Sequence, residues 1–196
     1  MKTNIFLVRH GRTVFNAESR IQGQIDTELS DIGIAQAYKA KEYFKRYEFD
    51  AAYASPLSRA YRTAEIILEG RDVPVIRDDR LIEMSFGIYE TKVITRDELE
   101  VLIHSDLTDC GGESAEKVGE RMYEAIEEIA KSNPEKNVLI VSHGSATVAF
   151  LNKVEKDCLL KRNGKAVVTN CSLSKLTYVD DHFEIEMLSY DEYMKD

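Results

Sequence analysis

The sequence predicts a three-layer α/β sandwich, in which a mostly parallel central sheet is flanked by helices and carries a small cap segment. Three observations predict it. Short apolar runs alternate with amphipathic stretches along most of the chain, the pattern of strands joined by crossover helices. Two of those runs lead directly into His-Gly, LVRHG at 7–11 and IVSHG at 140–144. Residues 172–188 alternate in polarity about an Asp180-Asp181 pair, which is a hairpin signal.

The elements follow in order. Residues 4–8 (NIFLV) read as a buried central strand that ends at Arg9. Ser30 caps a helix predicted over 31–46, where Ile34, Ala37, Ala40 and Phe44 recur at helical spacing. Residues 50–54 (DAAYA) form a second strand closed by Ser55-Pro56, helical character runs from Arg59 to Leu68, and VPVI at 73–76 gives a third strand. Residues 92–112 are the least regular and are expected to form the short cap, ending at Gly111-Gly112. A long amphipathic helix is predicted over 114–131, with Val118, Met122, Ala125, Ile126 and Ile129 on one face. NVLIV at 137–141 is a strongly apolar strand, a helix follows over 145–154, and 172–179 with 182–188 make the terminal hairpin.

No repeat, low-complexity tract or linker interrupts the 196 residues, so the chain reads as a single domain over 1–196. Apolar residues make up 43% and charged residues 31%, a balance suited to an ordinary globular fold. No apolar run approaches the length of a bilayer span, and MKTNIFLVRHG lacks the features of a secretory signal. Cys110, Cys158 and Cys171 are odd in number and have no metal-site spacing, which points to a reducing cytoplasm. The net charge of −9 argues against nucleic acid or an anionic membrane as partner. It also makes any local cluster of arginines informative, because a negative chain that gathers positive charge does so for an anion.

In open α/β sheets ligands bind beyond the carboxyl ends of the strands. Were the strands at 4–8 and 137–141 parallel neighbours, His10 and His143 would enter one crevice, with Gly11 and Gly144 allowing close backbone approach. Arg9, Arg59 and Arg62 supply planar forks that match phosphate oxygens. Arg12 and Arg20, in the loop after the first strand, read equally as solvated surface residues. Arg9 does not, because a charge at the end of a central strand is costly to bury without a partner. Glu83, in the apolar stretch LIEMSFGIYE, is the acidic candidate: desolvation would raise its pKa and keep a proton for a leaving group.

These residues together resemble the histidine phosphatase superfamily, which includes cofactor-dependent phosphoglycerate mutases and broad phosphomonoesterases. The resemblance runs through LVRHGRTVFN (7–16), QGQIDTELSDIGIAQA (22–37), YASPLSRAYRTAE (53–65), LIEMSFGIYE (81–90), GGES (111–114), VSHG (141–144) and NCSLSKLTY (170–178). It implies that His10 is the nucleophile that becomes phosphorylated, that Arg9, Arg59 and His143 hold the phosphoryl oxygens, and that Glu83 is the proton donor. Thr13 and Asn16 match positions that touch the phosphate or orient the pocket, and Gln22-Gly23 lines its entrance; Arg62 and Met84 are further substrate-contact candidates. The implied substrate is a small phosphate ester, bound by a monomer or homodimer without cofactor or metal. A metal site built from the histidines and Glu83 is opposed by the neighbouring arginines.

Departures from the family pattern favour a phosphatase over a mutase. Met84 stands where mutases usually carry a basic residue, and the 91–110 segment offers only Lys92 and Arg96 where mutases have a longer basic insertion. Thr91 stands where many relatives have glycine. Met84, Phe86 and Phe15 are either an apolar pocket wall or core, with core the expectation for Phe86. A cofactor-dependent mutase and a catalytically silent binding domain are the alternatives. His104 and His182 have no motif around them; His104, in the cap, could reach a substrate, and His182 is expected at the surface.

Overall fold

A computed structural model of the chain describes residues 2–164 and 167–195. Its elements are β1 (Thr3–Arg9), α1 (Val14–Ala17), α2 (Asp31–Phe44), β2 (Ala51–Ala54), α3 (Ser58–Leu68), β3 (Val75–Arg77), α4 (Arg96–Leu102), α5 (Ala115–Ser132), β4 (Asn137–Ser142), α6 (Gly144–Val154), α7 (Cys158–Asn163), β5 (Leu173–Val179) and β6 (His182–Tyr190). The strands form one sheet in the order β3-β2-β4-β1-β5-β6. The β3/β2, β2/β4 and β4/β1 pairings are parallel, and β1/β5 and β5/β6 are antiparallel. The predicted three-layer α/β sandwich is therefore the fold.

Alternation along the central strands explains the layers. In β1, Ile5 and Leu7 face one side and Phe6 and Val8 the other; in β4, Val138 and Ile140 oppose Leu139 and Val141. The first set packs with Val118, Met122 and Ile126 of α5 and Phe150 of α6. The second packs with Ala40 and Phe44 of α2 and Ala60, Ala64 and Ile67 of α3. Both β1 and β4 are covered on two faces, which is why they read as continuous apolar runs.

Ser30 caps α2 by accepting a hydrogen bond from the Gly33 N–H, and Ser114 caps α5 through the Lys117 N–H. The hairpin turns at Asp180 and Asp181, whose φ values are +49° and +59°, the geometry of a two-residue turn that matches strand twist. The third strand starts at Val75 rather than 73, because Pro74 has no N–H for the sheet.

Two helices differ from expectation. The cap segment holds α4, closed by a box in which Thr95 Oγ1 accepts from the Glu98 N–H and Glu98 Oε2 accepts from the Thr95 N–H. After Val154 the chain turns at Asp157 (φ +59°) into α7. No helix among the described residues is long and apolar enough to cross a membrane.

Candidate active site

Because β1 and β4 are parallel and Arg9 pairs with Ser142, the next residue of each strand, His10 and His143, emerges at the same height. The His10 N–H donates to the Ser142 carbonyl at 3.0 Å, and the two imidazole centroids lie 5.1 Å apart. Both side chains are buried, at 2% and 0% exposure.

His10 Nδ1 lies 2.7 Å from the Gly11 carbonyl oxygen. Nδ1 can only donate there, so the proton is fixed on Nδ1 and the lone pair on Nε2. Burial first, then the charges of Arg59 and Arg9, push His10 well below its usual 6.5, against a smaller opposing effect of the Gly11 bond. The imidazole is thus neutral at physiological pH, with a free nitrogen. The Gly11 N–H donates to Thr63 Oγ1 at 3.0 Å, and a Cβ on Gly11 would lie 2.5 Å from the Gly33 carbonyl oxygen, so only glycine lets the loop approach α2.

His143 is likewise pushed well below 6.5 by burial, then by Arg59, His10 and Arg9. Its Nε2 is 2.7 Å from Ser55 Oγ, while Nδ1 is buried without a partner. Arg9 donates from Nη1 to the Val168 carbonyl at 2.7 Å, and Arg59 holds the Ile25 and Gly23 carbonyls at 2.8 and 2.7 Å. The Nε atoms of both arginines are buried and unpartnered. Burial lowers Arg59 to about 10, so it stays charged at neutral pH. Gly23 adopts φ +52°, and a Cβ there would meet Glu90 Oε1 at 2.1 Å; glycine is what lets this carbonyl reach Arg59.

The Glu83 carboxylate is held by backbone. Oε1 accepts from the Met84 and Ala146 N–H groups at 2.9 and 2.7 Å, and Oε2 from Ser145 at 3.1 Å. Two of these donors are the free N–H groups at the start of α6, which need an acceptor there. One of the carboxylate's roughly four acceptor positions remains open.

Arg9, His10, Asn16, Gln22, Gly23, Arg59 and Glu83 line one cavity of about 260 Å³. His143 lies beside His10 without reaching the open wall. Gln22 accepts from Thr13 Oγ1 and Thr27 Oγ1 at 2.9 and 2.6 Å, which leaves its NH2 end for the cavity. Asn16 Oδ1 accepts from the Thr13 N–H and Asn170 Nδ2 at 3.2 and 3.3 Å.

Three expected contacts lie outside the cavity. Thr13 is fully buried as the cap of α1, holding Asn16 and Gln22 from behind. Met84 is 0% exposed and belongs to the core. Arg62 is exposed on α3 and pairs with Glu65. Conversely, Arg20 does reach the cavity, with Nε on Glu18 and Nη1 on the Thr91 carbonyl. Phe86 belongs to the core, as expected, and also forms part of the wall; Phe15 does not line the cavity. His104 and His182 are exposed, and His104 is bonded to the Glu100 carbonyl away from the cavity.

Sequence reasoning missed much of the apolar wall, Ile21, Ile94, Leu99, Ile103, Val148 and Val168 among it, and the supports Ser55 and Thr63. Ser55 and Thr63 lie in a block the resemblance includes, but only packing shows which atoms they hold. Among the described residues no three His, Cys, Asp or Glu side chains are grouped to hold a metal ion.

Comparison with known proteins identifies the family. The sequence model of the histidine phosphatase superfamily (branch 1) matches residues 5–191. The uncharacterized phosphatase PhoE of Bacillus subtilis is 31% identical over 184 residues, covering 94% of this chain and 93% of its own. The probable phosphoglycerate mutase GpmB of Cronobacter sakazakii is 36% identical over 182 residues, covering 89% and 84%. Of solved structures, Bacillus stearothermophilus YhfR aligns with a TM-score of 0.85 at 27% identity over 98% of this chain and 100% of its own. The mycobacterial glucosyl-3-phosphoglycerate phosphatase complexed with VO3 aligns at 0.83 and 28%, over 96% and 99%. With the family model matching nearly its whole length and a relative 36% identical covered to 84% of its own length, the chain is an enzyme of the histidine phosphatase superfamily, branch 1.

Proposed function

We propose that the protein hydrolyses phosphate monoesters of apolar or aromatic alcohols through a phosphohistidine on His10. The observation that carries the reading is the set of buried, unpartnered nitrogens around His10: Arg9 Nε, Arg59 Nε and His143 Nδ1. Leaving such groups unpaired costs about 1–3 kcal/mol each, a cost that an anion removes on binding. A phosphoryl group supplies acceptor oxygens for them.

In the first half-reaction the Nε2 lone pair of His10 attacks phosphorus and the bond to the ester oxygen breaks, with Glu83 giving its proton to that oxygen. In the second, Glu83 takes a proton from water as the water oxygen attacks phosphorus, and Nε2 leaves with its electron pair. One carboxyl serves both steps. Arg9 and Arg59 neutralise the equatorial oxygens, and His143 donates from Nδ1 when the Ser55 hydroxyl donates to its Nε2.

The wall supports the substrate class. Ile21, Phe86, Ile94, Leu99, Ile103 and Val148 face the cavity, and among the described lining residues the only cation besides Arg9 and Arg59 is Arg20, already engaged by Glu18 and Thr91. A second anionic group on the substrate finds little to hold it, which disfavours transfer back to a phosphoglycerate. The GpmB likeness supports mutase activity as the second reading.

The test is turnover of naphthyl phosphate against 3-phosphoglycerate, with and without 2,3-bisphosphoglycerate, alongside acid-labile radiolabel on the enzyme. Expected are preferred hydrolysis of the aryl ester and label lost in His10→Ala. Bisphosphate-dependent interconversion of phosphoglycerates, or label retained without His10, overturns the proposal.

A further inference from the structure

The GGES block at 111–114 supplies no residue to the cavity wall, yet Glu113 is bound up with the backbone that carries Glu83. Arg121, on α5, meets Glu113 in a two-pronged pair: Nε to Oε1 and Nη2 to Oε2, both at 3.0 Å. The same guanidinium donates from Nη1 to the Arg80 and Ile82 carbonyls at 2.9 and 2.8 Å, and from Nη2 to the Glu83 carbonyl at 3.1 Å. Glu113 Oε2 in turn accepts from the Ser85 N–H at 2.8 Å, and the Glu113 N–H donates to the Ser85 carbonyl at 2.9 Å. Gln24 closes the group, its Nε2 bridging the Glu83 carbonyl at 3.0 Å and Glu113 Oε2 at 3.3 Å.

Residues 82–86 belong to no strand or helix, so no ladder fixes their carbonyls and N–H groups. Buried backbone without such partners must be satisfied by side chains. Here one guanidinium and one carboxylate do so on both flanks of residue 83. The pair is only part-exposed, with side-chain exposures of 20% and 25%, and a two-pronged Arg–carboxylate contact fixes orientation as well as distance. From the other side the Glu83 carboxyl is held by the start of α6. Backbone and carboxyl are thus fixed independently, which sets the direction from which Glu83 faces the leaving oxygen.

We propose that Arg121 and Glu113 are positioning residues that aim the Glu83 proton at the leaving group. The inference rests on the reading of Glu83 as proton donor. Misplacing a catalytic group by about 1 Å costs on the order of a hundred-fold, and that loss falls on esters that need a proton to depart. An ester whose alkoxide leaves unaided is spared.

The experiment measures the pre-steady-state burst of phenol release from phenyl phosphate and from 2,4-dinitrophenyl phosphate, for wild type, Glu83→Gln, Arg121→Lys and Glu113→Gln. Expected for both pair variants is a loss of about a hundred-fold with phenyl phosphate and under about three-fold with the dinitrophenyl ester, following Glu83→Gln. Thermal unfolding accompanies each variant, and Glu113→Gln, which keeps shape and one acceptor, carries the test should Arg121→Lys fail to fold. If the pair variants lose both esters equally, or neither, while Glu83→Gln shows the selective loss, the positioning role is wrong. If Glu83→Gln itself lacks the selectivity, the proton-donor reading fails instead.

Discussion

Replacing Thr63 by valine asks how firmly His10, the proposed nucleophile, is aimed. Thr63 is 0% exposed on α3; its hydroxyl accepts from the Gly11 N–H at 3.0 Å and donates to the Arg59 carbonyl at 2.7 Å. Valine keeps the volume and removes only the hydroxyl. The Gly11 N–H then stays buried without an acceptor, at a cost of about 1–3 kcal/mol. For a chain of this length each kcal/mol moves the melting temperature by about 2–4 °C, so a fall of roughly 2–12 °C is expected. Activity falls as well, because the Gly11 carbonyl holds His10 Nδ1 at 2.7 Å and the anchor of that residue is loosened. With about 1 Å of misplacement costing a hundred-fold, a shift of a few tenths of an ångström costs about 3- to 10-fold in kcat. Differential scanning calorimetry and burst kinetics read the two effects, and Thr63→Ser, which keeps the hydroxyl, should match wild type in kcat. Unchanged melting and unchanged kcat in Thr63→Val would refute the claim that this bond anchors the loop that carries His10.

His10 and His143 are both pushed below their unfolded value near 6.5, so the unfolded chain binds more protons and stability rises with pH up to that value. It is lost as pH falls below about 6.5, by up to about 1.4 kcal/mol per pH unit for each imidazole. Urea denaturation at pH 6.5 and 5.5 should show the slope, reduced in His10→Asn; flat stability across that interval contradicts the burial of neutral imidazoles. Thr91 sits at φ +70°, where a β-branched residue is strained by about 1–2 kcal/mol. Thr91→Gly should therefore stabilise by about 0.5–1 kcal/mol after the extra freedom of glycine when unfolded is subtracted, and a lower melting temperature would count against strain at this position. Arg62 lies outside the cavity, so Arg62→Ala should keep kcat/KM within about two-fold, as surface changes usually do; a ten-fold loss would restore it to the site.

The strands and the long helices were legible in the sequence because each follows from a local pattern, as do His10 and His143 at the ends of two apolar runs, whereas Arg59 and Glu83 stood out from similar residues only through the family resemblance. β1 and β4 are apolar on both faces, and α2 and α5 carry capping serines and a one-sided apolar stripe. The cap was less legible. Helix α4 is short and charged, with Leu99 and, just beyond its end, Ile103 as apolar residues that line the cavity at the edge of the core, so its periodicity is weak even though Thr95 and Glu98 form a capping box.

What the sequence determined by itself was which chemistry is present: two strand-end histidines, a few arginines and an isolated acid. What only the tertiary structure decided was which of similar residues reach the cavity. Arg59 and Arg62 are three apart on one helix, about 60° around its axis, and the packing of α3 on the sheet sends the first to 0% exposure and leaves the second in solvent. Glu83 and Met84 are adjacent, yet one faces the cavity and the other the core. Spacing fixes residues relative to their own segment; the phase of that segment against the sheet is set by contacts between residues far apart in the chain, and there the site is made.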